Sequence, residues 1–185
     1  MEKMQDEKII MSSKKVNVLA LLFSLGMLVI CLPLFYVLYG KESLNTQMYP
    51  FLFKIIVLIL GIFIHEGIHG LFFSIYNADG FKGIKFGFSL KKMVAYCHCK
   101  NAIKIYQTQI VLIMPFIILG VLPLVIGFIF NNFFWVIFGI VYCAASIGDL
   151  LIFFKLIRKN RNLFFKDSTT YCGGEIIHDN NINHE

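Results

Sequence analysis

The chain has 185 residues, 58% of them hydrophobic and 15% charged, with a mean hydropathy of +0.74. A soluble domain of this length carries far more polar surface, so the composition excludes that class and indicates an integral membrane protein. The net charge of +6 requires no nucleic acid, because basic residues beside membrane spans suit anionic lipid headgroups.

Residues 1–17 form a charged N-terminal segment containing Lys3, Lys8, Lys14 and Lys15. The apolar stretch from Val18 to Tyr39 is long enough to cross a hydrocarbon core of about 30 Å, which takes roughly 20 helical residues. It is too long for a signal peptide and has no small-x-small cleavage site, so it is expected to remain as an anchor. The loop from Gly40 to Pro50 carries only Lys41, offset by Glu42.

The second apolar run, Phe51 to Tyr76, contains His65-Glu66-Gly67-Ile68-His69. On a helix this His-Glu-x-x-His spacing places two imidazoles one turn apart on one face, where both can bind one Zn²⁺. Glu66 is then placed to take a proton from the metal's water. Ionisable groups are costly inside a bilayer and mark functional sites there, so this cluster is read as a metal centre and not as hydrogen-bonding groups between helices.

Residues from Phe81 to Ile105 are too polar to span. Ile84, Phe86 and Phe88 alternate with Lys85, Gly87 and Ser89, which predicts a strand. Leu90-Lys91-Lys92 would turn it, and Met93 to Cys99 would return as a second strand. Such a hairpin either offers an edge to an unwound substrate segment or rests on lipid headgroups as an amphipathic loop. Cys97-His98-Cys99 is spaced too tightly for a usual structural zinc site, with Cys172 and His178 as the only evident partners. On a strand, Cys97 and Cys99 would share a face and His98 would point away.

Two further spans are expected, Ile110 to Phe130 and Phe133 to Ile157, separated by the uncharged Asn131-Asn132 turn. Pro115 and Pro123 are candidates to kink the third helix. The fourth carries Asp149. If the second and fourth helices both start on the outer side, His65 lies about 21 Å, His69 about 27 Å and Asp149 about 24 Å along them, at roughly 1.5 Å per residue. Catalytic zinc needs three protein ligands and an open position, and the motif supplies only two, so Asp149 is the expected third. Ala144, Ala145, Ser146 and Gly148, with Gly61 on the second helix, are small enough for close helix packing.

Lys82, Lys85, Lys91, Lys92, Lys100 and Lys104 follow the second span, and Arg158, Lys159, Arg161 and Lys166 follow the fourth. The positive-inside rule therefore places both termini in the cytoplasm, where cysteine thiols stay reduced. Gly173-Gly174 and Asn180-Asn181 read as breakers in a polar tail, residues 158–185, that also holds His178 and His184 as solvated residues. The expected architecture is an all-α polytopic membrane protein. It has four transmembrane helices within residues 18–157 and a cytoplasmic β-hairpin-like loop between the second and third.

His65 to Gly70 in one membrane helix, followed by Gly148-Asp149 in another, resembles the intramembrane site-2 class of metalloproteases. The chain is more closely similar to a family of small four-helix bacterial membrane proteins described as zincin peptidases. The similarity covers Phe51 to Ile157 and includes Tyr96-Cys97-His98-Cys99-Lys100 and Met114-Pro115-Phe116. It implies zinc at His65, His69 and Asp149, with Glu66 as general base. The site-2 class usually has an Asp-Gly pair, whereas Gly148 precedes Asp149 here and Leu150 follows it.

The expected function is zinc-dependent hydrolysis of a peptide bond in or near the membrane, with a membrane protein or membrane-associated peptide as substrate. The competing readings are a non-enzymatic metal or proton carrier, and a catalytically silent relative that retains the metal. Carriers often show internal repeats and several broken helices; neither is evident in the sequence, and four helices are few. Glu66 separates the readings, since hydrolysis needs it and zinc ligation does not. Asn101, Gln107 and Gln109 are polar groups at the start of the third helix with no assigned role in stabilising an oxyanion.

Overall fold

A computed structural model describes residues 7–44, 49–89, 94–168 and 173–177. The Leu90-Lys91-Lys92 turn, Cys172, His178, Asn180-Asn181 and His184 lie outside the described residues.

Helix α1 (Ser13–Tyr39) and helix α2 (Phe51–Tyr76) are uninterrupted. The third helical run extends over residues 105–129 in three parts: α3 (Ile105–Pro115), a π-helical turn (Phe116–Val121) and α4 (Leu122–Ile129). These three runs are long and apolar enough to cross a membrane, and α5 (Phe133–Ala145) with α6 (Ile147–Ile157) makes a fourth span if the pair is taken together. Val29 (73% exposed), Val37 (78%) and Phe51 (77%) face outward, a surface suited to hydrocarbon and not to water.

Helix α2 has the expected bounds, whereas α1 and α3 each begin five residues earlier than hydropathy suggests. The added first turn of α3 is polar but well anchored. The Gln107 side chain accepts from the Lys104 N–H at 2.9 Å, and the Ile105 N–H donates to the Leu163 carbonyl at 2.8 Å.

The fourth span is not straight: α5 and α6 meet at a 50° bend. Ser146, fully buried at the break, donates its hydroxyl to the Tyr142 carbonyl at 2.9 Å. A serine bonded back to the preceding turn competes with the helical ladder and bends it. The bend starts a new helix just before Asp149, which therefore lies in the first turn of α6. The small residues serve contacts other than the one expected. Gly148 faces Val16 of α1, and Gly61 of α2 lies against the Tyr142 ring, whose hydroxyl donates to the Leu58 carbonyl.

The all-α expectation is corrected by two small sheets. The hairpin between the second and third helical runs is present as β2 (Ile84–Ser89) and β3 (Val94–Cys99), antiparallel, with Phe86 opposite Cys97. The second sheet brings together strands β1 (Glu7–Ile10), β4 (Ile103–Lys104), β5 (Phe164–Asp167) and β6 (Gly173–Ile177) in the order β1-β6-β5-β4. Its buried face, formed by Ile9, Phe165 and Ile176, packs on Ile105, Leu112, Ile152 and Leu156 of α3 and α6. The N-terminal segment and the tail thus form one sheet beneath the bundle.

Gly173 and Gly174 lie within β6 and do not break it. Gly173 has φ +131°, and a Cβ there would overlap the Ile9 carbonyl, while one at Gly174 would overlap the Lys166 carbonyl. Two strands approach these positions more closely than any side chain allows. Gly173→Ala is therefore expected to cost at least about 1 kcal/mol, since alanine at positive φ is strained. The check is a lower unfolding midpoint with earlier proteolytic release of residues 7–10; an unchanged midpoint would contradict it.

Candidate metal centre

His65 and His69 lie one turn apart on α2, both more than nine-tenths buried, with ring centroids 4.9 Å apart. Asp149 approaches from the first turn of α6. Its Oδ2 is 3.2 Å from His65 Nε2 and 3.4 Å from His69 Nε2. One ligand atom from each of the three residues falls within 4.8 Å of the others, and theirs is the one His/Cys/Asp/Glu cluster of this kind among the described residues.

The two imidazoles are held differently. His69 Nδ1 donates to the Val111 carbonyl of α3 at 3.1 Å, whereas His65 Nδ1 is buried with no hydrogen-bond partner among the described residues. Glu66, about a quarter-turn around α2 from His65, is close to Cys97 of the hairpin as well as to His65, His69 and Asp149. Cys97 lies opposite Phe86, and since the Lys100 N–H pairs with the Gly83 carbonyl in the same register, the Cys97 N–H is turned away from β2. The hairpin is seated closely here: a Cβ on Gly70 would overlap the Phe86 ring of β2.

A family profile described as "Putative zincin peptidase" matches residues 58–164, a span that contains all four of these side chains. The chain belongs to that family. No curated protein and no solved structure matches it significantly.

The zincin family implies zinc, and the donor set fits that ion. With bonds of about 2.0–2.2 Å to nitrogen and oxygen, tetrahedral coordination places ligand atoms about 3.3 Å apart. The 3.2 and 3.4 Å separations from Asp149 Oδ2 to the two Nε2 atoms are close to this spacing. Two imidazole nitrogens and one carboxylate oxygen also form a common catalytic-zinc donor set, which leaves the fourth position open.

The neighbouring polar residues have structural duties. Asn101 Nδ2 donates to Asn77 Oδ1 and to Asp79 Oδ2, each at 2.8 Å, which fastens the end of β3 to the end of α2. Gln107 caps α3. Neither side chain is placed at the centre, and Gln109 is buried on α3. Cys97-His98-Cys99 has the expected alternation. Cys97 and Cys99 pack with Phe73, Ile84, Ile103 and Val111, while His98 Nδ1 donates to Asp167 Oδ2 at 3.0 Å.

Burial pushes the Cys97 thiol up to about 12, reinforced by the nearby carboxylates of Glu66 and Asp167, and burial raises Cys99 as well. The thiolate is the reactive form, so at pH 8 Cys97 is held as an unreactive thiol. Iodoacetamide at pH 8 is expected to spare Cys97 in the folded protein and to modify it after denaturation. Rapid labelling of the folded protein would contradict this placement.

Sequence reasoning did not find the Val111 carbonyl, because it is a backbone group with no residue-type signature. It also missed the bend at Ser146.

Proposed function

We propose that the protein is a zinc-dependent endopeptidase of the cell membrane that cleaves membrane-protein or membrane-associated peptide substrates. His65, His69 and Asp149 hold the metal, and Glu66 is the general base. The observation that carries this reading is the meeting of both Nε2 atoms with a single Asp149 oxygen beside a glutamate that is not itself in the ligand cluster.

Bound at these atoms, zinc supplies Lewis acidity and lowers the pKa of water toward neutrality. Glu66 accepts the proton released and delivers it to the departing amine. Burial of the two imidazoles excludes bulk water from all but the open side.

A helical substrate segment must unwind before its peptide bonds can be reached, because its backbone groups are already paired. The outward edge of β3, next to Glu66, suits pairing with such an unwound segment. The lysine and arginine distribution supports an arrangement with this edge and both termini in the cytoplasm, and the pairing of β1 with β6 accords with both ends lying on one side. The test is cleavage of transmembrane peptides in lipid bilayers by the zinc-loaded protein, with Glu66→Gln as its control. Zinc binding without cleavage of any peptide would favour a carrier or a silent relative.

A further inference from the structure

The hydrogen bond from His69 Nδ1 to the Val111 carbonyl raises a question, because a carbonyl in the interior of an α-helix is normally occupied by the N–H four residues later. Here that residue is Pro115, which has no N–H. The next amide, Phe116, donates to the Ile113 carbonyl instead. A π-helical turn then occupies Phe116–Val121, so the ladder shifts register directly after the gap. The Val111 carbonyl is thereby left without a helical donor, and Val111 itself is fully buried. A buried carbonyl of this kind needs a partner, and His69 Nδ1 provides one at 3.1 Å.

We propose that Pro115 is a positioning residue for the metal centre: it deletes the amide that would occupy the Val111 carbonyl, and the freed carbonyl fixes the orientation and tautomer of His69. A carbonyl can only accept, so the ring must carry its proton on Nδ1. Nε2, the atom facing Asp149 at 3.4 Å, is then the nitrogen turned toward the metal position. Ligating histidines commonly donate their second nitrogen to a carbonyl or carboxylate, which sets both tautomer and ring plane. His65 has no such partner on Nδ1 among the described residues, so His69 is the imidazole that the protein orients in advance. This inference rests on the zinc reading for its purpose, but the tautomer it requires belongs to the metal-free protein.

The experiment uses the full chain in lipid nanodiscs as wild type, Pro115→Ala and Pro123→Ala. Pro123 lies in the same helical run, and its removal tests the loss of a proline as such. The first readout is the ¹⁵N NMR spectrum of histidine-labelled, metal-free protein, with His69 assigned by substitution. The wild type and Pro123→Ala should show His69 protonated at Nδ1, and Pro115→Ala should show that proton in exchange between the two ring nitrogens. The second readout is zinc affinity, expected to fall roughly 10–100-fold in Pro115→Ala alone, the usual effect of losing an outer partner of a metal ligand.

Thermal stability separates this role from a structural one. Alanine favours the helix over proline, so Pro115→Ala should be no less stable than wild type while binding zinc more weakly. A wild-type His69 without a proton on Nδ1 would overturn the proposal without reference to any variant. An unchanged tautomer and unchanged affinity in Pro115→Ala would overturn it equally. Absence of zinc binding by the wild type would defeat the zinc reading, and the tautomer would still decide the role of Pro115.

Discussion

Glu66→Gln protein is expected to hold zinc as the wild type does and to lose peptide hydrolysis by about 10²–10⁴-fold, the usual contribution of a positioned general base. In the proposed site the donor atoms come from His65, His69 and Asp149, the cluster that could hold a metal, so metal content should not depend on the charge of residue 66. Glutamine has nearly the shape of glutamate but cannot act as a base. The substitution therefore removes proton acceptance and leaves the packing in place. Metal analysis of the purified proteins, together with cleavage rates on a transmembrane peptide, checks both halves. Equal cleavage by both forms would remove Glu66 from the chemistry.

Asp149→Ala is expected to act on the other half of the site, weakening zinc binding by about 100-fold or more. Loss of an outer partner costs roughly 10–100-fold, and in the proposed site Asp149 contributes a donor atom directly. Its Oδ2 is the shared neighbour of both Nε2 atoms, so without it the two imidazoles retain their helical spacing but lack the anion that completes the donor set. Competition against a chelator of known affinity measures the change. Wild-type affinity in Asp149→Ala would remove that residue from the ligand set.

The candidate site was more legible in the sequence than the fold around it. Helical spacing alone fixes His65 and His69 on one face, and the apolar run bounded by Pro50 and Asn77 leaves little freedom in the limits of α2. Asp149 could be matched to their depth despite the bend, since only about 4.5 Å of helical path lies between Ser146 and Asp149 at about 1.5 Å per residue. The bend was hidden because Ala144 to Gly148 reads as continuous small-residue helix, and the serine hydroxyl acts through its bond to the Tyr142 carbonyl.

The sheet of β1, β6, β5 and β4 was illegible for a different reason. Its strands are two to five residues long, and β1 pairs with β6 across most of the chain, with Glu7 opposite Ile176. Local periodicity carries no signal over such a distance. Gly173 and Gly174, which usually mark a break, are instead what permits the close strand approach. The β2–β3 hairpin was readable because its alternation is local and its partner adjacent.

The account depends on one ion shared by α2 and α6, and zinc K-edge X-ray absorption on the reconstituted protein measures this most directly. The predicted result is one zinc per chain with two imidazole nitrogens and a carboxylate oxygen at about 2.0–2.2 Å, and loss of that signature in Asp149→Ala. A sulfur scatterer at about 2.3 Å, placing the metal on the Cys97 or Cys99 thiol, or an unaltered spectrum in Asp149→Ala, would contradict it.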